Sequence, residues 1–335
     1  MKKNYFLTLL FFVVLFAINL PAQTGVEKKI IATLGPGETL ANSENCFLLN
    51  KNPEYISFVT VAGSGSDKQY FCYGKDGKRT GPVKQPDAAY WAECADNVVD
   101  NCVSDDQPDL TGMEKYLDPN DGSILFKGKK FGPYGQIILF NMSPDEQYIY
   151  AIALSAEMKM LYFDNTGRKV DITGMPEQII ISPDGKTSYV KVKGSLNPFD
   201  PEALQKMIND PEETNNPKVF LFGIDGNKYG PYPSSSFNDT WFTPSGQWVI
   251  YANSEIYLNG KLLFKVDEYV SRCDIWISTT GTNYAWANYE KIMFRDGSSF
   301  IAPLTIEYIV ENSKGYLKWI SLEDEKNLVF YRRPF

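Results

Sequence analysis

The residues best placed to do chemistry sit in short acidic turns. Ser143-Pro144-Asp145-Glu146 returns 39 positions later as Ser182-Pro183-Asp184-Gly185, and more loosely as Thr243-Pro244-Ser245-Gly246. A carboxylate beside a hydroxyl could hold a hard cation or carry a proton. The same residues also build a turn, since Pro fixes φ, Asp or Ser bonds its own backbone and Gly takes the left-handed conformation. Each set stands between two apolar runs, so the turn is the reading adopted. A second acidic group, Asp105, Asp106, Asp109, Asp118 and Asp121, offers oxygen ligands for calcium. Its spacing departs from the Asp-x-Asp-x-Asn-Gly loop, so a solvated acidic segment is expected there and no cofactor is assigned.

Histidine is absent from the 335 residues. That removes Ser-His-Asp and Cys-His catalysis, His-ligated zinc and the usual general base near neutral pH. Glycoside hydrolysis needs only two carboxylates, but nothing singles out a pair among the 41 Asp and Glu residues. No catalytic residue is assigned. Of the five cysteines, Cys94 and Cys102 are the candidate disulfide by spacing, and the odd count leaves at least one unpaired. A hairpin turning at Ala95-Asp96-Asn97 would set Cys102 opposite Tyr90, which leaves buried free thiols as the other reading.

The chain opens with Lys2 and Lys3, an apolar run from Tyr5 to Leu20, and Pro21-Ala22-Gln23. A charged head, an apolar middle and a small-residue end make residues 1–22 a secretory signal. The run is short for a membrane span and no basic cluster follows it, so no stable insertion is expected after cleavage. An exported protein, periplasmic or extracellular, follows. The net charge of −8 disfavours nucleic acid and anionic lipid as partners.

Residues 26–335 read as one domain of short strands bounded by Gly, Pro, Asn and Ser. The 21 Phe, 21 Tyr and 6 Trp are spread throughout, as half-buried strands require. Units of four strands recur; in the third they fall at 136–142, 148–154, 158–163 and 169–172. The last unit has only three, at 306–310, 316–320 and 327–331, while a strand at 28–34 has no neighbour. Pairing these ends removes two exposed edges. The expected fold is all-β: a seven-bladed β-propeller of four-stranded antiparallel blades, roughly 44 residues each, closed by the N-terminal strand. A short helix from Pro201, capped by Asp200, is expected in the fourth blade.

The Ser-Pro-Asp turns, each followed by an aromatic strand, resemble the WD-like repeats of TolB-type propellers. Gly132-Pro133-Tyr134 and Gly230-Pro231-Tyr232, with Gly81-Pro82 as a partial copy, are similar to repeats in exported proteins of Bacteroidetes-type bacteria. The resemblance implies an exported propeller used mainly for binding, and it carries over no catalytic residue.

Two insertions, at about 104–120 and 194–217, both join the second and third strands of their blades. They should therefore project from one face, on either side of blade three, where recognition loops usually gather. Trp91, Asp105, Asp106, Asp109, Phe199 and Asp200 are the candidate binding residues. The function expected is a non-enzymatic scaffold for a protein, peptide or glycan, working as a monomer or within an assembly. The alternative is a carboxylate-dependent hydrolase acting on glycans.

Overall fold

The computed structural model describes residues 25–41, 46–49, 55–74, 78–83, 113–209, 215–266 and 270–335. The signal segment, the two opening strands expected in blade two and the turn at Asp76 lie outside these residues.

Strand β1 (Glu27–Thr33) comes first in the chain. The first sheet holds β2 (Glu38–Leu40), β3 (Cys46–Leu48), β4 (Tyr55–Ala62), β5 (Gln69–Tyr73) and β6 (Arg79–Val83). Its order is β2-β4-β5-β6, with β3 also on β4. Sequence reading missed β2, because Glu-Thr-Leu has no apolar run and opens on a carboxylate that turns out to be buried. β7 (Ile124–Phe126) and β8 (Lys129–Phe131) pair as the described part of the second sheet.

The third sheet runs from β9 (Gln136–Met142) through β10 (Ile149–Leu154) and β11 (Met160–Asp164) to β12 (Lys169–Ile172). The fourth follows as β13 (Met175–Ile181), β14 (Ser188–Lys193), β15 (Lys218–Gly223) and β16 (Lys228–Pro233), with helix α1 (Pro201–Asn209) between its second and third strands. The fifth has β17 (Phe237–Phe242), β18 (Trp248–Ala252), β19 (Glu255–Leu258) and β20 (Lys261–Lys265). In the sixth come β21 (Ile275–Ile277), β22 (Tyr284–Ala287), β23 (Lys291–Phe294) and β24 (Ser299–Ile301). The last has β25 (Thr305–Glu311), β26 (Lys314–Glu323) and β27 (Asn327–Pro334), and β1 joins it in the order β1-β27-β26-β25. Among the described residues there are thus seven antiparallel sheets in chain order and one α-helix, and no ladder joins one sheet to the next.

Burial explains the order within each sheet. β10 and β18 are apolar from end to end and buried at every position, as strands covered on both faces must be. Fourth strands such as β12 and β16 are largely exposed. Two of the Gly-Pro pairs fall in these outer strands, and Gly132-Pro133 follows directly on β8. Gly81-Pro82 and Gly230-Pro231 each sit at a bulge in the ladder. Gly230 has φ +104°, and a Cβ there would lie 2.7 Å from the Val219 carbonyl oxygen, so only glycine fits.

The chain divides into two compact units, residues 1–99 with 287–335, and residues 100–286. In the second unit Tyr189 stacks on Trp248 at 3.6 Å between ring centres, and the Trp248 indole N–H donates to Thr240 Oγ1 at 2.8 Å. A large aromatic surface is thereby buried with its one polar atom satisfied. In the first unit Phe58 stacks on Tyr73 within a core that also holds Leu34, Leu49, Ile320 and Leu328.

That core carries one buried carboxylate. Glu38 accepts hydrogen bonds from Thr60 Oγ1 at 2.7 Å, Tyr73 Oη at 3.0 Å and Arg79 Nε at 3.0 Å. Arg79 in turn lies 3.7 Å over the Phe71 ring. Burial pushes the Glu38 carboxyl up, but the donors from Thr60, Arg79 and Tyr73 outweigh it and hold it below the usual range. A lowered folded pKa gives stability that is present above the unfolded value of about 4.3 and is lost as pH falls through the folded value. Urea denaturation from neutral to acid pH should show this loss in the native chain, and Glu38→Gln should flatten it. Arg79→Ala should cost about 1.5–3 kcal/mol at neutral pH, the range for a hydrogen bond to a charged group. Deleting residues 27–33 should leave β27 as an open edge, lower the urea midpoint and raise light scattering.

Candidate functional site

The acidic turns are structural. Ser143 Oγ donates to Asp145 Oδ1 at 2.6 Å and accepts from the Tyr148 N–H at 3.0 Å. Ser182 repeats this with Asp184 at 2.7 Å and Thr187 at 3.0 Å. These bonds, led by the serine hydroxyls, hold both carboxyls below the usual range. Thr243 and Ser245 form the same turn with two hydroxyls 2.9 Å apart. A fourth copy, Ser278-Thr279-Thr280-Gly281, was missed because no Pro or Asp marks it. Its Ser278 Oγ accepts from the Asn283 N–H at 3.0 Å, with the same five-residue spacing as the first two. On the outer turn of the third sheet, buried Asp164 takes the Thr166 and Arg168 N–H groups and Arg168 Nε at 2.6 Å.

The opposite end of these sheets is more exposed. Within the second unit the second-to-third connection of the third sheet is a tight turn, where Met158 has φ +61°. In the fourth sheet that connection spans residues 194–217 and carries α1. Asp200 caps the helix as expected: its Oδ1 accepts the Glu202 N–H at 3.0 Å and its carbonyl accepts the Leu204 N–H at 2.8 Å. Phe199 is half-buried against the core of the third and fourth sheets. Both residues therefore position the helix. Ala203 is buried, whereas Leu204 and Ile208, one helical turn apart, are 44% and 66% exposed. The Asn197 side chain donates to the Met158 carbonyl at 2.8 Å, and the Gly174 N–H donates to the Leu196 carbonyl at 3.0 Å. These bonds tie the helix segment to two further exposed apolar residues, Met158 and Met175.

Of the acidic run, Asp118 and Asp121 are described. Both carboxylates lie 2.8 Å from Lys130 Nζ, and Asp118 also accepts from the Asn120 backbone and side chain. Lys130 is the main cause that lowers both. An ammonium already occupies the place a cation would take. Trp91, Asp105, Asp106, Asp109, Cys94 and Cys102 lie outside the described residues. Cys72 is buried and forms no disulfide, whereas Cys273 is disulfide-bonded.

The second unit also has a cleft of about 300 Å³ along β13, lined in part by Asn141, Gln178, Trp241 and Arg272. Its polar groups are largely engaged. Asn141 donates to the Ile179 carbonyl at 3.0 Å, and Arg272 stands 5.5 Å over the Trp241 ring and 3.7 Å from Asp239.

The strand order defines the class: an all-β protein of the propeller type, its last sheet completed by the N-terminal strand. No protein-family model matches the sequence, and comparison with curated proteins finds no match. Among solved structures the chain is similar to TolB from Acinetobacter baumannii, with 16% identity over 84% of this chain and 80% of that one, at a TM-score of 0.25. An oligogalacturonate lyase in complex with manganese gives 9% identity over 94% of both chains at a TM-score of 0.27. A prolyl endopeptidase gives 9% identity over 87% of this chain and 40% of that one, at 0.29. At these values the propeller assignment rests on the strand order.

Ser182→Ala removes a hydroxyl that both accepts from and donates to its own turn, and should cost about 1–2 kcal/mol in urea denaturation. Calcium addition should not move the midpoint of that variant toward the native value.

Proposed function

We propose that this chain is an exported, non-enzymatic propeller that binds a protein or peptide partner through the end of its sheets carrying the long insertions. One observation carries the reading: Met158, Met175, Leu204 and Ile208 are all exposed at that end of the second unit, on segments tied by hydrogen bonds. Exposed apolar side chains on hydrogen-bonded segments of a rigid scaffold offer an interaction surface, and unbranched methionines adapt to a partner's shape. α1 offers the stripe a groove would grip, Leu204 and Ile208 at helical spacing. Phe199 and Asp200 hold the helix in place, and Trp91, Asp105, Asp106 and Asp109 remain candidate contacts to be tested by substitution. The leader-like residues 1–22 and the disulfide-bonded Cys273 support export into an oxidising compartment. The tight-turn carboxylates, being engaged by their own turns, support binding over hydrolysis.

Photo-crosslinking in the source cells tests the proposal. A crosslinker at position 208 should give one discrete protein adduct, lost when Leu204→Asp is added. The same crosslinker at position 227, in a tight turn at the other end of the fourth sheet, should give none. Equal adducts at both positions, or an adduct at 208 that survives Leu204→Asp, would refute it. Release of sugar from envelope glycans by the purified chain would favour the hydrolase instead.

A further inference from the structure

The first unit contains a groove of about 510 Å³ that the docking surface does not use. Its volume falls within the roughly 300–1,000 Å³ typical of small-molecule sites. Five segments supply its lining. β1 contributes Lys28, whose Nζ lies 2.8 Å from Glu323 Oε2 at the end of β26. Tyr331 on β27 donates its hydroxyl to the same carboxylate. Glu290 and Lys291, at the start of β23, line the groove without an ion-pair partner among the described residues. Edge strand β24 adds the Ser299 hydroxyl and the apolar surfaces of Phe300 and Ile301. Phe300 is fixed by ring contacts at 5.2 Å to Trp319 and 5.5 Å to Tyr331, so that surface is rigid.

Beside Glu290 stands Tyr289, 91% exposed and the most exposed large apolar side chain among the described residues. Its backbone is held firmly. Asn288 Oδ1 accepts the N–H groups of Glu290 and Lys291, each at 2.9 Å, and the Ala302 N–H donates to the Glu290 carbonyl at 2.9 Å. An aromatic ring thus stands in solvent on a rigid turn, next in sequence to Glu290 of the groove lining.

The lining narrows the ligand. Two ammonium groups and two carboxylates balance in charge, so neither a polyanion nor a cation is favoured. A divalent metal would have to displace Lys28 from Glu323. A purely apolar molecule would strand the donors and acceptors unpaired. What remains needs donors and acceptors together with a flat apolar face, and a sugar ring presents hydroxyls at its rim and C–H groups on its face. We infer that this groove binds a neutral oligosaccharide, with Tyr289 as the stacking platform and Lys28, Glu290, Lys291 and Glu323 meeting its hydroxyls. Because Lys28 belongs to β1 and Glu323 to β26, a bound sugar would also fasten the closing strand, and binding should raise the melting temperature. The groove belongs to the first unit, and the inference does not depend on the docking surface proposed for the second.

The full chain should be titrated by calorimetry and thermal melting with neutral gluco-, manno-, xylo- and chito-oligosaccharides, with oligogalacturonate and hexa-alanine as controls. At least one neutral sugar should bind and raise the melting temperature. Tyr289→Ala should weaken that binding at least tenfold and leave the melting temperature of the free chain unchanged, since the ring is exposed. A Glu290→Ala, Lys291→Ala double variant should weaken it comparably. The proposal is overturned if no neutral sugar binds, if binding survives Tyr289→Ala undiminished, or if only oligogalacturonate or hexa-alanine binds.

Discussion

Every sheet of this chain needs its edges managed, and the pairing of β1 with β27 is the interaction on which the first unit depends. Without it the last sheet would end on β27, a strand of eight residues with an open row of backbone donors and acceptors. β1 fills that row in register from Glu27 opposite Arg332 to Thr33 opposite Asn327, with one bulge after Ile30. It brings little apolar burial, since Ile30 is 57% exposed. The ladder itself therefore does most of the holding, with Thr33 bonded to Asn327 at 3.0 Å and the pairs Lys28–Glu323 and Glu27–Arg332 at the surface. Exposed pairs of this kind contribute little each, typically about 0–1 kcal/mol. Arg332 is better placed, because its guanidinium lies 3.9 Å over the Tyr316 ring and also reaches Glu311, which meets buried Lys318.

Behind that ladder stands an aromatic stack. Trp319 and Tyr331 face each other at 4.9 Å and nearly parallel, with Phe294 and Phe300 against them. The stack fixes β26 to β27 through side chains where β1 fixes β27 through backbone. It also leaves the Tyr331 hydroxyl pointing to Glu323 and Lys28, so the polar groups of the groove are set by the same contacts that close the sheet.

Much of this was legible in the sequence, for reasons that particular residues make clear. β9 and β12 fall where apolar runs bounded by turn residues placed them, and α1 starts at Pro201 behind the Asp200 cap. The missing last strand and the unpartnered first one pointed to each other by simple counting. What escaped was set by tertiary contact. Glu38 reads as a surface residue and is buried because Thr60, Tyr73 and Arg79, from three different strands or their ends, converge on it. Ser278 performs the repeated turn with hydroxyls alone. Phe199 and Asp200 looked like binding residues, but a cap and a half-buried ring are positioning roles that only the packing reveals.

Exposure tells the same story from the other side. Leu204 and Tyr289 belong to types that sequence reasoning assigns to the core, although Asn288 and Glu290 flank Tyr289 as turn residues do. Their exposure has a definite cause in each case. α1 has apolar residues at 203, 204 and 208, more than the one face that packs inward can cover, so Leu204 and Ile208 remain outside. Tyr289 occupies a two-strand turn whose backbone bonds leave its side chain no sheet to join. The strands that carry Trp248 and Trp319 enclose them almost wholly, whereas Leu204, Ile208 and Tyr289 lie on a helix and a turn that no strand covers. Apolar side chains exposed singly are ordinary on a folded surface, so what distinguishes Leu204 and Ile208 is their place one turn apart on the same short helix, and what distinguishes Tyr289 is the extent of its exposure.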